Sequence, residues 1–132
     1  MLPRSSTYTN PWQILGIDHN LKVAVVNCPV DYQELIGSNS PKFKNWSLKV
    51  GDLSLAHLFV NNLEELKQLI PLSGRKIRPS GAVWVSWKKE PLTINDVNEY
   101  TVKHVAEQHG LSCENLCELN SEWWGIKLVP TT

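Results

Sequence analysis

The stretch Leu53-Ser54-Leu55-Ala56-His57-Leu58-Phe59-Val60 decides the architecture. Its apolar residues fall on both alternating faces, the pattern of a strand covered on both sides, as in a parallel sheet. Upstream, Leu21-Lys22-Val23-Ala24-Val25-Val26 reads the same way and ends at Asn27-Cys28-Pro29. Downstream, Gly81-Ala82-Val83-Trp84-Val85-Ser86-Trp87 is a further strand that ends at Lys88-Lys89. Its period of two directs Trp84 to one face and Val83 and Val85 to the other.

Helical signals separate these strands. Asp31 followed by Glu34 opens a short helix over 31–36, which Gly37 stops. Asn61-Asn62 caps a second, with Glu64 and Glu65 in its first turn and an end near Pro71. Pro91 and the Thr93-x-x-Asp96 pattern open the longest, over 94–109, with Ile94, Val97, Thr101 and Val105 as its buried stripe and Gly110 as its C-terminal cap. A strand is expected over 46–50 and a basic loop over 74–80. Two closing strands, 112–119 and 124–129, are joined by a link short enough to pair them antiparallel. This order predicts an α/β fold: a small Rossmann-like, mostly parallel sheet with crossover helices and a C-terminal antiparallel strand pair.

Composition narrows the class. The 132 residues suit one domain, read as a flexible leader over 1–13 and a single α/β domain over 14–132. Thirteen Lys and Arg balance thirteen Asp and Glu, and no basic stripe forms, so neither nucleic acid nor a membrane surface is expected as a partner. Three cysteines without close spacing, and no apolar leader segment, suit a cytoplasmic protein with reduced thiols.

Several stretches resemble a known family. Leu15-Gly16-Ile17, Val25-Val26-Asn27-Cys28-Pro29, His57-Leu58-Phe59-Val60, Gly81 to Lys88 and Glu122-Trp123-Trp124-Gly125-Ile126-Lys127-Leu128-Val129 are similar to a bacterial family catalogued as domain-of-unknown-function family 3052. The resemblance implies a compact bacterial α/β domain and carries no activity. More distantly, a terminal hairpin after parallel βα units resembles the S-adenosylmethionine methyltransferase fold, an analogy at the level of fold.

Candidate chemistry is sparse. A dinucleotide or S-adenosylmethionine site needs glycine in the turn after the first strand, where the backbone must approach the cofactor. Here the turn is Asn27-Cys28-Pro29-Val30-Asp31, without glycine, so no cofactor is expected. His104, His109, Cys113 and Cys117 cross from a helix into a strand at spacings unlike those of a zinc site. The two cysteines share parity and are expected on one face of their strand as inert thiols, with no metal. His57 inside an apolar strand reads as a hydrogen-bonded core residue, and Cys28 as a half-buried thiol. Of the six tryptophans, Trp84 and Trp46 read as core, while Trp87 and Trp123-Trp124 are half-exposed covers of the sheet edge.

One general rule gives a location. Open α/β sheets bind ligands outside the carboxyl ends of their strands, where the strand order reverses. Asn27, Cys28, Asn61, Ser86, Trp87 and Lys88 all follow strands at that edge and form the candidate ligand set. The sequence therefore predicts a domain without catalytic residues that binds a protein partner or a small molecule. The alternative is a degenerate S-adenosylmethionine-dependent methyltransferase-like enzyme.

Overall fold

The computed structural model describes residues 10–91 and 95–131. A five-stranded sheet has the order β1-β2-β3-β5-β4. Strands β1 (Val23–Val26), β2 (Leu53–Phe59) and β3 (Ile77–Lys88) are parallel. Strand β5 (Trp123–Pro130) runs antiparallel between β3 and β4 (Leu111–Glu118). The expected α/β architecture, with its parallel units and closing antiparallel pair, is what the chain adopts. No helix of the described residues is long and apolar enough to cross a membrane.

Each face of the sheet has its own core. Helices α3 (Leu63–Gly74) and α4 (Glu99–Gln108) cover one face, where Leu66, Ile70, Val102 and Val105 meet Leu58, Val83 and Val85. Helices α1 (Pro11–Leu15) and α2 (Tyr32–Ile36) cover the other, where Leu15 and Ile36 meet Leu55, Phe59 and Trp84. Trp84 and its two valines therefore face opposite cores, as the alternation requires.

Several element boundaries differ from the sequence reading. Of the leader assigned to 1–13, residues 1–9 lie outside the described residues, while Pro11 and Trp12 open α1. Pro11 at the first helical position and the Asn10 N–H donating to Gln13 Oε1 at 3.2 Å are why. The strand expected over 46–50 is absent. Instead Asn45 makes an isolated parallel bridge to Val23 on the outer edge of β1. The Trp46 N–H donates to the Val23 carbonyl at 2.7 Å, and the Val25 N–H to Asn45 Oδ1 at 3.0 Å. Trp46 is half-buried rather than core, with the ammonium groups of Lys22 and Lys44 at 4.7 and 4.2 Å from its ring centroid. The chain thus passes outside β1 and returns to pair as β2 on its inner side, so the strand order reverses at β1.

Helix α3 continues through Pro71 to Gly74, although proline removes a donor and crowds the carbonyl four residues back. The Arg75 N–H donates to the Pro71 carbonyl at 3.3 Å and closes the last turn. The segment read as a basic loop then enters β3 at Ile77, where Arg78 donates to the Asp52 carbonyl at 3.0 Å. Helix α4 starts at Glu99 because Asn98 Oδ1 accepts from the Tyr100 and Thr101 N–H groups at 2.9 and 3.0 Å. Thr93 and Ile94 lie outside the described residues, and the buried face of α4 is Val102, Val105 and Ala106, with Thr101 only half-buried.

Two positions test this packing. Trp84 is 1% exposed at the centre of the sheet, so Trp84→Ala should cost about 3–5 kcal/mol in a denaturant melt. At Gly81 a β-carbon would lie 2.8 Å from the Leu53 carbonyl oxygen and 3.0 Å from those of Arg78 and Ser54. These are backbone atoms at the register shift between β2 and β3, and they have no rotamer to yield. Gly81→Ala should therefore lower stability by about 1–3 kcal/mol in the same measurement.

Candidate ligand cleft at the carboxyl edge

The parallel strands β1, β2 and β3 end together, and their ends bound a cleft of about 420 Å³. Pro29 follows β1, Val60 and Asn61 follow β2, and Trp87 and Lys88 close β3. Trp123, at the start of β5, enters from the antiparallel side because its Cα pairs with that of Lys88. Pro91 and Asn95 complete the wall. Trp87 belongs to the α3/α4 core and Trp123 to the α1/α2 core, so the cleft straddles the edge of the sheet. Both are buried, at 7% and 3% exposure, and not the half-exposed covers the sequence suggested. Pairing across the β3–β5 ladder encloses them.

The sequence-derived set divides here. Asn61, Trp87 and Lys88 line the cleft together. The Asn61 N–H donates to Glu65 Oε1 at 2.8 Å, which fixes the start of α3 beside the cleft. Asn27 is exposed in a left-handed conformation, φ 59°, and turns the chain out of β1. Cys28 is half-buried, its thiol donating to the Val30 carbonyl at 3.2 Å, and burial pushes its pKa up. Ser86 points to the opposite side of β3 from Trp87 and is fully buried. Pro29, Val60 and Trp123 are wall residues that sequence reasoning missed. Apolar type conceals the first two, and only the insertion of β5 beside β3 brings in the third.

Ser86 belongs to a buried polar chain. Its Oγ lies 2.7 Å from His57 Nε2, and His57 Nδ1 lies 2.6 Å from the Tyr32 hydroxyl. The His57 ring stacks on Phe59 with centroids 4.5 Å apart. A neutral imidazole and two hydroxyls hold three hydrogens for these two bonds, so one hydroxyl hydrogen must find its acceptor elsewhere. Ser86 and His57 are both fully enclosed. The sequence reading of His57 as a hydrogen-bonded core residue is what the packing gives it.

The metal constellation does not assemble. A bulge between Cys113 and Asn115 reverses the alternation of β4. Cys113 then packs on the α3/α4 core while Cys117 lies in the opposite core, which corrects the expectation that the two share a face. His104 stays on α4, where its Nε2 lies 3.4 Å from Gln108 Nε2. Among the described residues no group of three or more potential ligands converges. Burial pushes the Cys113 thiol up to about 11, which keeps it protonated at neutral pH.

Burial drives the His57 pKa down to about 3, against about 6.5 for an exposed histidine. Between those values the unfolded chain takes up a proton that the folded chain refuses. Stability contributed here is complete above pH 6.5 and falls as pH drops toward 3, by at most about 1.4 kcal/mol per pH unit. Denaturant melts between pH 7 and pH 4 should show a shallower loss of stability in His57→Gln than in the wild type.

No family model matches the chain, and no curated protein does. Solved structures do. A TehB-like SAM-dependent methyltransferase from Corynebacterium glutamicum superposes with a TM-score of 0.56 at 15% identity, covering 87% of this chain and 83% of that one. A SAM-dependent methyltransferase from Aquifex aeolicus gives 0.55 at 14% identity, covering 89% and 88%. Magnesium protoporphyrin IX methyltransferase from Synechocystis PCC 6803, with bound SAM, gives 0.54 at 13% identity, covering 86% and 71%. The chain therefore has the α/β fold of SAM-dependent methyltransferases.

Proposed function

We propose that this chain is a methyltransferase-like domain that binds a small molecule in the carboxyl-edge cleft, with S-adenosylmethionine the first ligand to test. The position of the cleft carries the reading. It lies where open α/β sheets hold their ligands, next to the strand at which the order reverses. Its volume of about 420 Å³ falls in the range of small-molecule sites, and apolar walls with a few polar groups are their usual lining. The glycine-free turn is a weaker objection than its composition suggests. Asn27 adopts the left-handed conformation for which glycine is otherwise chosen, and asparagine tolerates it best among the larger residues.

A second reading, a binding domain without catalysis, also has specific support. The Glu34 N–H at the start of the five-residue helix α2 is already taken by Asp31 Oδ1 at 3.2 Å, so that turn offers one donor fewer to a ligand. The enclosed His57 is also withheld from the cleft. We further propose that the chain is a divergent member of domain-of-unknown-function family 3052. The stretches that carry that resemblance include most of β3 and β5, the strands that frame the cleft.

Isothermal titration separates the readings. The methyltransferase-like reading expects S-adenosylmethionine or its demethylated product to bind with a Kd near or below about 100 μM, about −5.5 kcal/mol. An absence of heat and of any thermal shift at 1 mM ligand would overturn it and leave the non-catalytic domain.

A further inference from the structure

Consecutive lysines leave β3 in opposite directions, and only one of them meets an acid. The Lys89 ammonium pairs with Glu118 Oε2 at 3.5 Å and lies 4.8 Å from the Trp124 ring centroid. The Lys88 ammonium lies 5.7 Å from the Trp123 ring centroid and, among the described residues, has no carboxylate within ion-pair distance. Glu90 and Glu122 line an adjoining hollow, which Lys88 and Lys89 share, outside the apolar cleft. Lys88 is half-buried as a residue, its stem lying along the wall of the cleft. On its inner side it borders the cleft walled by Val60, Trp87 and Trp123.

A pocket with two indoles, aliphatic walls and one uncompensated cation at its rim selects for a definite ligand chemistry. The apolar walls take a flat ring system. The cation takes an anion held on that ring through a charge-assisted hydrogen bond. A lysine accommodates either carboxylate or phosphate as a point charge. The cleft's volume of about 420 Å³, at the lower end of the small-molecule range, favours the smaller anion. We infer that the carboxyl-edge cleft binds a one- or two-ring aromatic carboxylate, with the ring between Trp87 and Trp123 and the carboxylate on Lys88. This rests on the cleft being a ligand site, but it does not require S-adenosylmethionine to bind there.

The test compares 2-naphthoate with its neutral isostere 2-naphthamide on the whole chain, by calorimetry and by the indole N–H resonances in NMR. The wild type should bind the acid at least about tenfold more tightly than the amide. Lys88→Met keeps the aliphatic stem and removes the charge. It should weaken the acid to the level of the amide, leave the amide unchanged, and denature at the wild-type midpoint. Lys88→Arg should restore the preference. Equal affinity of the wild type for acid and amide overturns the inference, as does a preference that survives in Lys88→Met. Failure of both compounds to saturate below about 10 mM overturns it too. Naphthoate binding without S-adenosylmethionine binding leaves this inference standing and removes the methyltransferase-like reading; the reverse result does the opposite.

Discussion

Strand β3 is paired on both sides and covered on both faces, and the rest of the molecule is arranged around that confinement. From Ala82 to Trp87 every residue is buried. Each backbone group must find its partner in the β2 or β5 ladder, and each side chain must be apolar or individually satisfied. Ser86 is the one polar side chain in that run, and His57 on the neighbouring strand satisfies it. A buried hydroxyl without a partner would cost about 1–3 kcal/mol, so the pairing constrains both strands at once. His57 must then be neutral, and it uses its other nitrogen to reach Tyr32.

That second bond links the sheet to the site. Tyr32 is the first residue of α2, which Asp31 caps, and both come directly from the turn after β1. The chain Ser86–His57–Tyr32 therefore ties the end of β3 to the start of α2 across the width of β2. The turn Asn27–Val30 is held between β1 and α2, so Pro29 meets the cleft at a fixed place. Phe59, stacked on His57 and edge-on to Trp123 at 5.2 Å, connects the same network to the β5 wall. A buried polar triad thus links the elements whose ends frame the cleft.

The alternation of the strands made most of this frame legible. Runs such as Leu53–Val60 and Gly81–Trp87 announce strands buried on both sides, and from them the α/β class follows. What stayed hidden was set by tertiary pairing. Nothing local places β5 between β3 and β4, yet that insertion buries Trp123 and delivers it to the cleft. A single bulge at Glu114 defeats a parity argument that is otherwise sound, and it separates Cys113 from Cys117. The segment after Pro41 is reduced to one bridge at Asn45, because side-chain and backbone bonds to β1 satisfy its edge without a ladder. Of the candidate site, the half carried by Asn61, Trp87 and Lys88 was readable from strand ends alone. Ser86 was not, because it lies on the same face as Lys88 but two residues deeper in the ladder, where His57 on β2 takes its hydroxyl.

The reversal of strand order at β1 bears on how such a small domain keeps a cleft open. In a sheet that advanced in one direction only, the loops after successive strands would pack against one another over the carboxyl edge. Here the chain leaves β1 outward, passes Asn45, and returns to β2 from the far side. The loop after β1 is thereby drawn toward α2, and the one after β2 enters α3 on the opposite face. The two diverge, and the gap between them is floored by the ends of β2 and β3 and walled by residues from both cores. The apolar walls of that gap, Val60, Trp87 and Trp123, stay buried, and Lys88 at its rim has, among the described residues, no carboxylate within ion-pair distance. A half-buried cation without an ion-pair partner departs from the usual pairing of charges, and sites where local rules are broken are where function is expected.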